Sequence, residues 1–393
     1  MDLSPSRRAV AAILEDALDG RRISAADAHT LLRDGDLLDL GLVAEELRNR
    51  CNDPRVATYN VDRNVNYTNI CVYRCRFCAF YRRPGDPQGY LLPFEEIGRK
   101  VEETLALNGT GILLQGGVHP DLAIGYYEDL LRFLRQSYPA IHLHAFSPPE
   151  IKFIARKERM SFHDVIARLE DAGLMSIPGG GAELLSDGVR REVLAYPKCS
   201  ADEWLEIMRQ AHRNGLRTSA TMMYGMGEGL EPRVEHLQRV RDLQDETGGF
   251  TAFISWTFQH DHTDMAEVPE IYPHEYLRTL AVSRIFLDNV QHLQTSWVTQ
   301  GKKIGQLALR FGADDMGSIM IEENVVSAAG TAYKMSQEEM ERLIESAGYT
   351  PRQRTNLYER FVSREDTAEL ARRYRHALTP ENRALASPLP VVG

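Results

Sequence analysis

The stretch Asn69-Ile70-Cys71-Val72-Tyr73-Arg74-Cys75-Arg76-Phe77-Cys78 places three of the five cysteines of the chain within eight residues. Its C-x3-C-x2-C spacing puts three thiols on one short loop. Thiolates are soft ligands that suit iron–sulfur chemistry, and three of them can ligate three corners of a four-iron cluster. The fourth iron then lacks a protein ligand, and such an open corner can chelate a substrate or a cofactor.

Two other interpretations of the cysteine loop fit less well. A structural zinc site needs four ligands and commonly pairs two C-x2-C arms, but Cys51 and Cys199, the remaining cysteines, form no second arm. A non-catalytic iron–sulfur electron carrier normally supplies a fourth cysteine. An odd, sparse set of cysteines in 393 residues is no disulfide framework.

The cysteine loop follows the first of seven β-rich runs that alternate with amphipathic helices. The runs begin near Val65, Thr110, Ile141, Leu174, Leu216, Gly249 and Val290, and the helices include 94–107, 126–136, 200–214, 232–246 and 276–288. This alternation predicts a parallel sheet. Gly-rich turns follow several runs, and in a barrel such turns meet at the C-terminal face, where barrel enzymes have their sites. We therefore expect an α/β fold, a TIM-like (βα) barrel that is complete or partial.

The chain is expected to have three parts. We expect residues 1–60 to form an N-terminal helical extension, residues 61–330 to form the barrel, and residues 331–393 to form a C-terminal helical region. The last part ends in a Pro-containing tail, Ser387–Gly393, which we expect to be mobile. Ser24 and Ser200 each begin a capping box, and Gly173 and Gly215 follow helix ends where a left-handed residue is expected.

The composition excludes several classes of protein. With 43% hydrophobic and 26% charged residues the chain has globular proportions. A net charge of −10 and the absence of a long Lys/Arg block argue against nucleic acid or an anionic membrane as the main partner. No run approaches the ~18 apolar residues of a membrane span, and the first residues do not resemble a secretory signal. We expect a cytoplasmic protein.

The C-x3-C-x-aromatic-C loop after a first strand resembles the signature of radical S-adenosylmethionine (SAM) enzymes. The resemblance implies that Cys71, Cys75 and Cys78 ligate one 4Fe-4S cluster whose open iron binds SAM. It also implies that Phe77 lies near the adenine and that the turn Gln115-Gly116-Gly117 holds the methionine end of SAM, because glycines let backbone carbonyls approach a small ammonium group. By the same resemblance we expect further SAM contacts, from Tyr67, Ser147, Glu150 and Glu183.

Longer runs, 64–69 and 78–82, resemble the radical SAM group that makes menaquinone and deazaflavin precursors. Four more, 84–87, 144–150, 178–183 and 322–330, are most similar to the cyclic dehypoxanthine futalosine synthases. That resemblance implies hydrogen abstraction from ribose C4′ of dehypoxanthine futalosine by a 5′-deoxyadenosyl radical. Ring closure onto the benzoate then follows, in menaquinone biosynthesis. A reductant such as flavodoxin or ferredoxin is the implied partner.

Two related activities remain as alternatives, namely aminofutalosine synthase and the radical SAM half of deazaflavin synthesis. The chain departs from the pattern of the cyclases at Phe253-Ile254-Ser255-Trp256 and in the loop His260–Asp264. Both departures are expected after the sixth strand, so they bear on substrate contacts more than on the chemistry. His260-Asp261-His262 resembles a metal clip, but we expect a solvated loop.

Several single residues have a functional and a structural interpretation. His142 and His144 alternate with apolar residues, so they share one strand face, and His144 is a candidate proton acceptor in the site. Glu150 and Glu183 follow strand ends, where a carboxylate can accept bonds from ribose hydroxyls or can cap a helix. We therefore assign His144 and Glu150 as candidate catalytic residues. The benzoate group calls for an arginine, and Arg310 and Arg82 are two candidates.

Overall fold

The computed structural model describes residues 4–193, 198–331 and 334–386. The predicted mobile tail, 387–393, lies outside the described residues. Three helices precede the sheet: α1 (Pro5–Leu18), α2 (Ala25–Asp34) and α3 (Leu37–Cys51). The capping box predicted at Ser24 is confirmed, since its hydroxyl accepts the Asp27 N–H and the Asp27 carboxylate accepts the Ser24 N–H. None of the helices in the described ranges is long and apolar enough to cross a membrane.

One sheet of ten strands forms the centre of the molecule. In chain order the strands are β1 (Val56–Asn60), β2 (Asp62–Val65), β3 (Gly111–Leu114), β4 (His142–Ala145), β5 (Ser176–Ile177), β6 (Arg217–Tyr224), β7 (Phe250–Thr257), β8 (His292–Gln294), β9 (Asp315–Ser318) and β10 (Thr350–Gln353). The spatial order is β10-β1-β9-β8-β7-β6-β5-β4-β3-β2, and every pairing is parallel.

The segment 56–65 joins the two ends of this sheet. Only Val61 separates β1 from β2, yet β1 pairs with β9 and β2 pairs with β3. The Ile319 N–H donates to the Asn60 carbonyl on one side, and the Thr110 N–H donates to the Val61 carbonyl on the other. The strands therefore curl into a barrel, and the expectation of a TIM-like (βα) barrel is confirmed.

Helices surround the barrel and cover its apolar outer surface. They are α4 (Phe94–Ala106), α5 (Ile124–Ser137), α6 (Pro148–Glu158), α7 (Phe162–Ala172), α8 (Asp187–Val193), α9 (Ala201–Arg213), α10 (Leu230–Thr247), α11 (Pro273–Phe286), α12 (Trp297–Gln300), α13 (Lys302–Ala308), α14 (Gln337–Ser346) and α15 (Arg364–Tyr374). The five helices predicted between the strands all exist. The capping box at Ser200 is also confirmed, as are the positive φ values of Gly173 and Gly215.

The sequence interpretation is wrong about secondary structure in three places. Residues 56–60 form strand β1, whereas only helices are predicted through residue 60. The strands β9 and β10 are missing from the prediction, because both are short and Asp315-Met316-Gly317-Ser318 has little β-branched or aromatic character. Phe253–Trp256 lies within β7 and not after it. The division of the chain into three domains stays a prediction.

The residues after β10 close the N-terminal end of the barrel. Arg354 forms a buried ion pair with Asp315, and the ring of Tyr358 stacks on His292, the first residue of β8, at 3.9 Å between centroids. Asn356 lies against Gly111, the first residue of β3, so closely that a Cβ at this glycine would overlap it. The C-terminal part of the chain thus forms the floor of the barrel.

Candidate active site

A cavity of about 510 Å³ occupies the barrel interior and reaches the loops at the C-terminal ends of the strands. At one end it is lined by the cysteine loop and the Gly-rich turns, and at the other by Arg354 and Tyr358. The C-terminal ends of parallel strands are where barrel enzymes have their sites. The cavity is the candidate site because most of the sequence-predicted residues line it. Tyr67 is an exception, since its side chain is fully buried and is not among the lining residues.

All three clustered cysteines, Cys71, Cys75 and Cys78, line the cavity. Burial raises the pKa of the Cys75 thiol to about 12. Burial also raises the pKa of Cys71 and Cys78, although backbone groups of Val118 and Tyr73 beside Cys71 favour its thiolate. Such buried sulfurs, held by backbone donors, lose their protons when they bind a metal.

The donor set fits a cluster of several irons better than a single metal ion. Among the described residues, no three His, Cys, Asp or Glu side chains converge closely enough to hold one metal ion. In a four-iron cluster each thiolate binds a different iron, so the three sulfurs need not meet at one point. Cys51 and Cys199 are not among the residues that line the cavity.

Side chains of the loop itself hold the cysteines in place. The Arg82 guanidinium donates to the carbonyls of Ala79, Phe80 and Tyr81, and the Arg82 carbonyl accepts the Cys71 N–H at 2.9 Å. Arg82 therefore supports the loop and does not line the cavity. The other predicted arginine, Arg310, pairs with Glu45 at the surface. Arg354 is the arginine that lines the cavity in the described part of the chain.

The predicted Gly-rich turn, Gln115-Gly116-Gly117, also lines the cavity. A Cβ at Gly116 would lie 2.6 Å from Cζ of Tyr67, and one at Gly117 would overlap the Ile70 carbonyl. The Gly117 N–H donates to the Thr68 carbonyl at 2.8 Å. These glycines are needed because the chain after β3 passes directly against the loop that carries the cysteines.

Replacement of Gly116 by valine is expected to displace the Tyr67 ring. Since overpacking costs about 1–3 kcal/mol, the free energy of unfolding should fall by that amount, and SAM binding should weaken with it. Gly125→Val is the matched control, because a Cβ there meets no atom within 4 Å. Chemical denaturation of both variants tests this, and an unchanged stability of Gly116→Val would contradict the packing described above.

Glu150 is buried, with an exposed fraction of 2%, and its carboxylate is fully occupied. One oxygen accepts the Tyr67 hydroxyl at 2.6 Å and the Gly116 N–H at 3.2 Å. The other accepts the N–H and the hydroxyl of Ser147, at 2.7 and 2.5 Å. Burial raises the pKa of this carboxyl, and the hydrogen bonds oppose the rise. Glu150 thus completes the capping box of α6 and connects three loops of the site.

Glu183 lies at a positive φ of 43° in an ion-pair cluster beside the cysteines. Its carboxylate is 2.8 Å from Nζ of Lys198 and 3.4 Å from Nη1 of Arg190. Burial lowers the pKa of Lys198, but Cys75 and Glu183 more than offset it, so the net pKa is raised. The ammonium also lies 5.1 Å from the centroid of the Phe77 ring. A buried cation therefore lies beside the cysteine loop and lines the cavity with it.

His144 lines the cavity in the middle of the barrel wall. As predicted, it shares a strand face with His142, and both imidazoles bond to Ser176 Oγ, at 2.6 and 2.7 Å. Burial lowers the pKa of His144 to about 3 and that of His142 to about 4. Both rings are therefore neutral at physiological pH.

The sequence interpretation missed Lys198, Arg354 and Asp62, which all line the cavity. Lys198 and Arg354 are far in sequence from the cysteine loop and the turn Gln115-Gly116-Gly117, so residue spacing gives no indication that they belong to the site. A sequence signal for Asp62 does exist, because every second residue from 60 to 66 is polar: Asn60, Asp62, Asn64 and Asn66. This alternation puts the four polar side chains on one face of an extended chain. The loop His260–Asp264 contacts the cysteine loop, where the Asp264 N–H donates to the Arg76 carbonyl at 2.9 Å.

Two family models match the chain. The radical SAM superfamily matches residues 65–240, and the CofH/MqnC C-terminal region matches residues 247–367. The first begins at the last residue of β2 and contains the cysteine loop, the Gly-rich turn and strands β3 to β6. The second contains β7 to β10, which complete the barrel and its floor.

Curated relatives cover nearly the whole chain. The chain is 46% identical to a cyclic dehypoxanthine futalosine synthase of Halalkalibacterium halodurans, over 90% of this chain and 95% of the relative. It is 44% identical to the synthase of the same name from Streptomyces coelicolor, over 91% and 90%. An aminodeoxyfutalosine synthase of Streptomyces coelicolor is 38% identical, over 86% and 91%.

Solved structures support the fold. The FeFe-hydrogenase maturase HydG of Carboxydothermus hydrogenoformans superposes with a TM-score of 0.70 and 16% identity, over 96% of this chain and 87% of the other. Methylornithine synthase (PylB) superposes with a TM-score of 0.66 and 16% identity, over 86% and 97%. At these identities the likeness concerns architecture alone.

Proposed function

We propose a radical cyclisation for this chain, which belongs to the radical SAM family of the cyclic dehypoxanthine futalosine synthases. Its relatives of that name are 44–46% identical, whereas relatives with the two alternative activities are 37–38% identical. The chain is accordingly an enzyme of this type. Its substrate is dehypoxanthine futalosine, and its product is the cyclic compound in which ribose C4′ is bonded to the benzoate ring.

The observation that carries the mechanism is that three cysteine thiols open onto one cavity that continues into the barrel. We propose Cys71, Cys75 and Cys78 as the ligands of a 4Fe-4S cluster. When bound, the cluster and SAM supply the 5′-deoxyadenosyl radical that removes hydrogen from C4′. The protein then has to hold the reacting carbons at near-attack distance and exclude water and other hydrogen donors.

The residues near the cysteines suit SAM. Phe77 offers an aromatic face for the adenine, and the turn Gln115-Gly116-Gly117 offers backbone carbonyls to the ammonium group. Lys198 and Glu183 offer one charge of each sign at the same end of the cavity, so we propose that Lys198 faces the SAM carboxylate and Glu183 a ribose hydroxyl. Tyr67, Ser147 and Glu150 shape this end through the hydrogen bonds described above.

The residues deeper in the barrel suit the substrate. Since C4′ must meet the radical, the benzoate end of the substrate has to extend away from SAM into the barrel. His144, Asp62 and Asn64 line that part of the cavity, and Trp256 lines the cavity near the C-terminal end of β7. His144 as a proton acceptor stays a prediction. A soluble one-electron reductant such as flavodoxin or ferredoxin is the partner that the chemistry requires.

The proposed function predicts which small molecule is consumed. Reduced, cluster-loaded protein with SAM is expected to convert dehypoxanthine futalosine at least about tenfold faster than the alternative substrates. A tenfold ratio of rates corresponds to a difference of ~1.4 kcal/mol in transition-state stabilisation. The alternatives are an enolpyruvyl-substituted benzoate, and tyrosine with 5-amino-6-(D-ribitylamino)uracil. Mass spectrometry of parallel reactions tests this. Consumption of either alternative with dehypoxanthine futalosine left intact would reassign the enzyme.

A further inference from the structure

Four carboxylate side chains line the cavity in the described part of the chain: Asp62, Glu150, Glu183 and Glu323. Any proton that leaves the substrate inside the barrel needs an acceptor there. Three of the four are already committed. Glu150 accepts four hydrogen bonds, and Glu183 is paired with two cations. Glu323 accepts the N–H groups of the three residues that begin the next turn.

Asp62 differs from these three in its partners. Its Oδ2 accepts a hydrogen bond from Asn60 Nδ2 at 3.0 Å. The Ser318 hydroxyl donates to the Asp62 backbone carbonyl at 3.5 Å and also favours the charged form of the carboxylate. Both partners are neutral, and no cation forms an ion pair with Asp62 among the residues that the structure describes. The positive charge of Arg354 acts on Asp62, but Arg354 is itself paired with Asp315.

The position of Asp62 in the barrel wall is deep. It is the first residue of β2 and pairs in register with Gly111, the first residue of β3. Asn64 pairs with Leu113, which pairs with His144, so Asp62 lies one inward-facing layer further from the cysteines than His144. Under the proposed function, the benzoate end of the substrate extends away from SAM and therefore toward this layer.

We propose that the Asp62 carboxylate accepts the proton that the benzoate ring loses after ring closure. This inference rests on the proposed function. The ring carbon that bonds to C4′ becomes tetrahedral and keeps its hydrogen, and the ring is no longer aromatic. Asp62 takes that hydrogen as a proton, and the electron pair of the broken C–H bond stays in the ring. The one surplus electron passes to a one-electron acceptor of the iron–sulfur class, and the ring becomes aromatic again.

The electrostatic environment suits this role. Burial raises the pKa of Asp62, while the hydrogen bonds of Ser318 and Asn60 and the charge of Arg354 oppose the rise. The carboxylate therefore binds a proton more tightly than one in water does. His144, with a pKa lowered to about 3, binds a proton poorly.

The test compares Asp62→Asn with the parent enzyme, both cluster-loaded and supplied with SAM. One substrate carries deuterium at C4′, and another carries it at the ring carbon that is attacked. In Asp62→Asn, C4′ deuterium should still enter 5′-deoxyadenosine at a rate within a few-fold of the parent. The rate of cyclic product formation should fall by about 10²-fold. In Asp62→Asn this rate should fall further when the attacked ring carbon carries deuterium. The same deuterium should leave the rate of the parent enzyme unchanged.

Several outcomes would overturn the proposal. One is that Asp62→Asn forms product at the parental rate. A second is that Asp62→Asn loses hydrogen abstraction and product formation to the same extent. A third is that the isotope effect of ring deuterium appears in His144→Gln and not in Asp62→Asn. Asp62→Glu keeps a carboxylate and serves as a second variant in case Asp62→Asn folds poorly. It should form more cyclic product than Asp62→Asn does. Failure of the parent enzyme to consume dehypoxanthine futalosine would instead refute the proposed function, so the two failures are distinct.

Discussion

Replacement of Cys75 by alanine is expected to abolish both the cluster and the cleavage of SAM. Cys75 is the most buried of the three thiols, with an exposed fraction of 6%, and it faces the Lys198 ammonium. With two thiolates left, one more iron loses its protein ligand. Anaerobically prepared parent protein should contain about four irons per chain, consistent with one cluster. Iron content, visible absorption and 5′-deoxyadenosine formation measure the loss.

Cys199 and Cys51 provide matched controls for this experiment. Cys199 is more buried than the loop cysteines, with an exposed fraction of 1%, but it does not line the cavity. Cys51 ends α3, where its thiol donates to the carbonyls of Leu47 and Arg48. Both alanine variants should retain the cluster and SAM cleavage. Loss of the cluster in Cys199→Ala would show that this residue supplies a fourth ligand, which the open-iron mechanism excludes.

Replacement of Glu150 by glutamine is expected to destabilise the site as a whole. A glutamine presents an NH₂ group where the carboxylate accepts two hydrogen bonds, so donors face donors in a buried place. Leaving buried donors unsatisfied costs about 1–3 kcal/mol each. The free energy of unfolding should therefore fall by about 3 kcal/mol, and SAM cleavage should fall because Tyr67 and Gly116 lose their shared acceptor.

Glu203 offers the matched control, since it closes the capping box of α9 in the same way but lies outside the cavity. Its carboxylate accepts the Ser200 N–H at 2.8 Å and pairs with Lys152 at 2.6 Å. Glu203→Gln should cost about 1 kcal/mol and leave SAM cleavage unchanged. If Glu150→Gln is as stable as the parent protein but inactive, Glu150 acts chemically and not as a structural link.

The sequence predicts the barrel because its information is local and repeated. The βα units each carry a hydrophobic period of their own, and several add a helix cap, as at Ser200, or a turn glycine, as at Gly116. The strands near Thr110 and Gly249 are therefore located within a few residues. Strands β9 and β10 carry no such signal, since they are short and polar. They form strands because β1 offers a free edge on each side, and that condition exists only in the folded chain.

The candidate site is predictable where its residues are close in sequence. The three cysteines and the turn Gln115-Gly116-Gly117 could be identified from spacing alone. Lys198 and Arg354 could not, because each comes to the cavity through a tertiary ion pair, with Glu183 and with Asp315. Residue type alone makes Arg82 one of two candidates for the benzoate, but its donors are used by loop carbonyls that no sequence pattern reveals.

The fate of one hydrogen distinguishes the cyclase reaction from the alternative reactions. Dehypoxanthine futalosine with deuterium at ribose C4′ is incubated with the reduced, cluster-loaded protein and SAM. Deuterium is expected to appear in 5′-deoxyadenosine in proportion to the cyclic product formed. Retention of the adenosyl carbon in a larger product, with dehypoxanthine futalosine untouched and no free 5′-deoxyadenosine, would contradict this expectation and would assign the aminofutalosine synthase reaction instead.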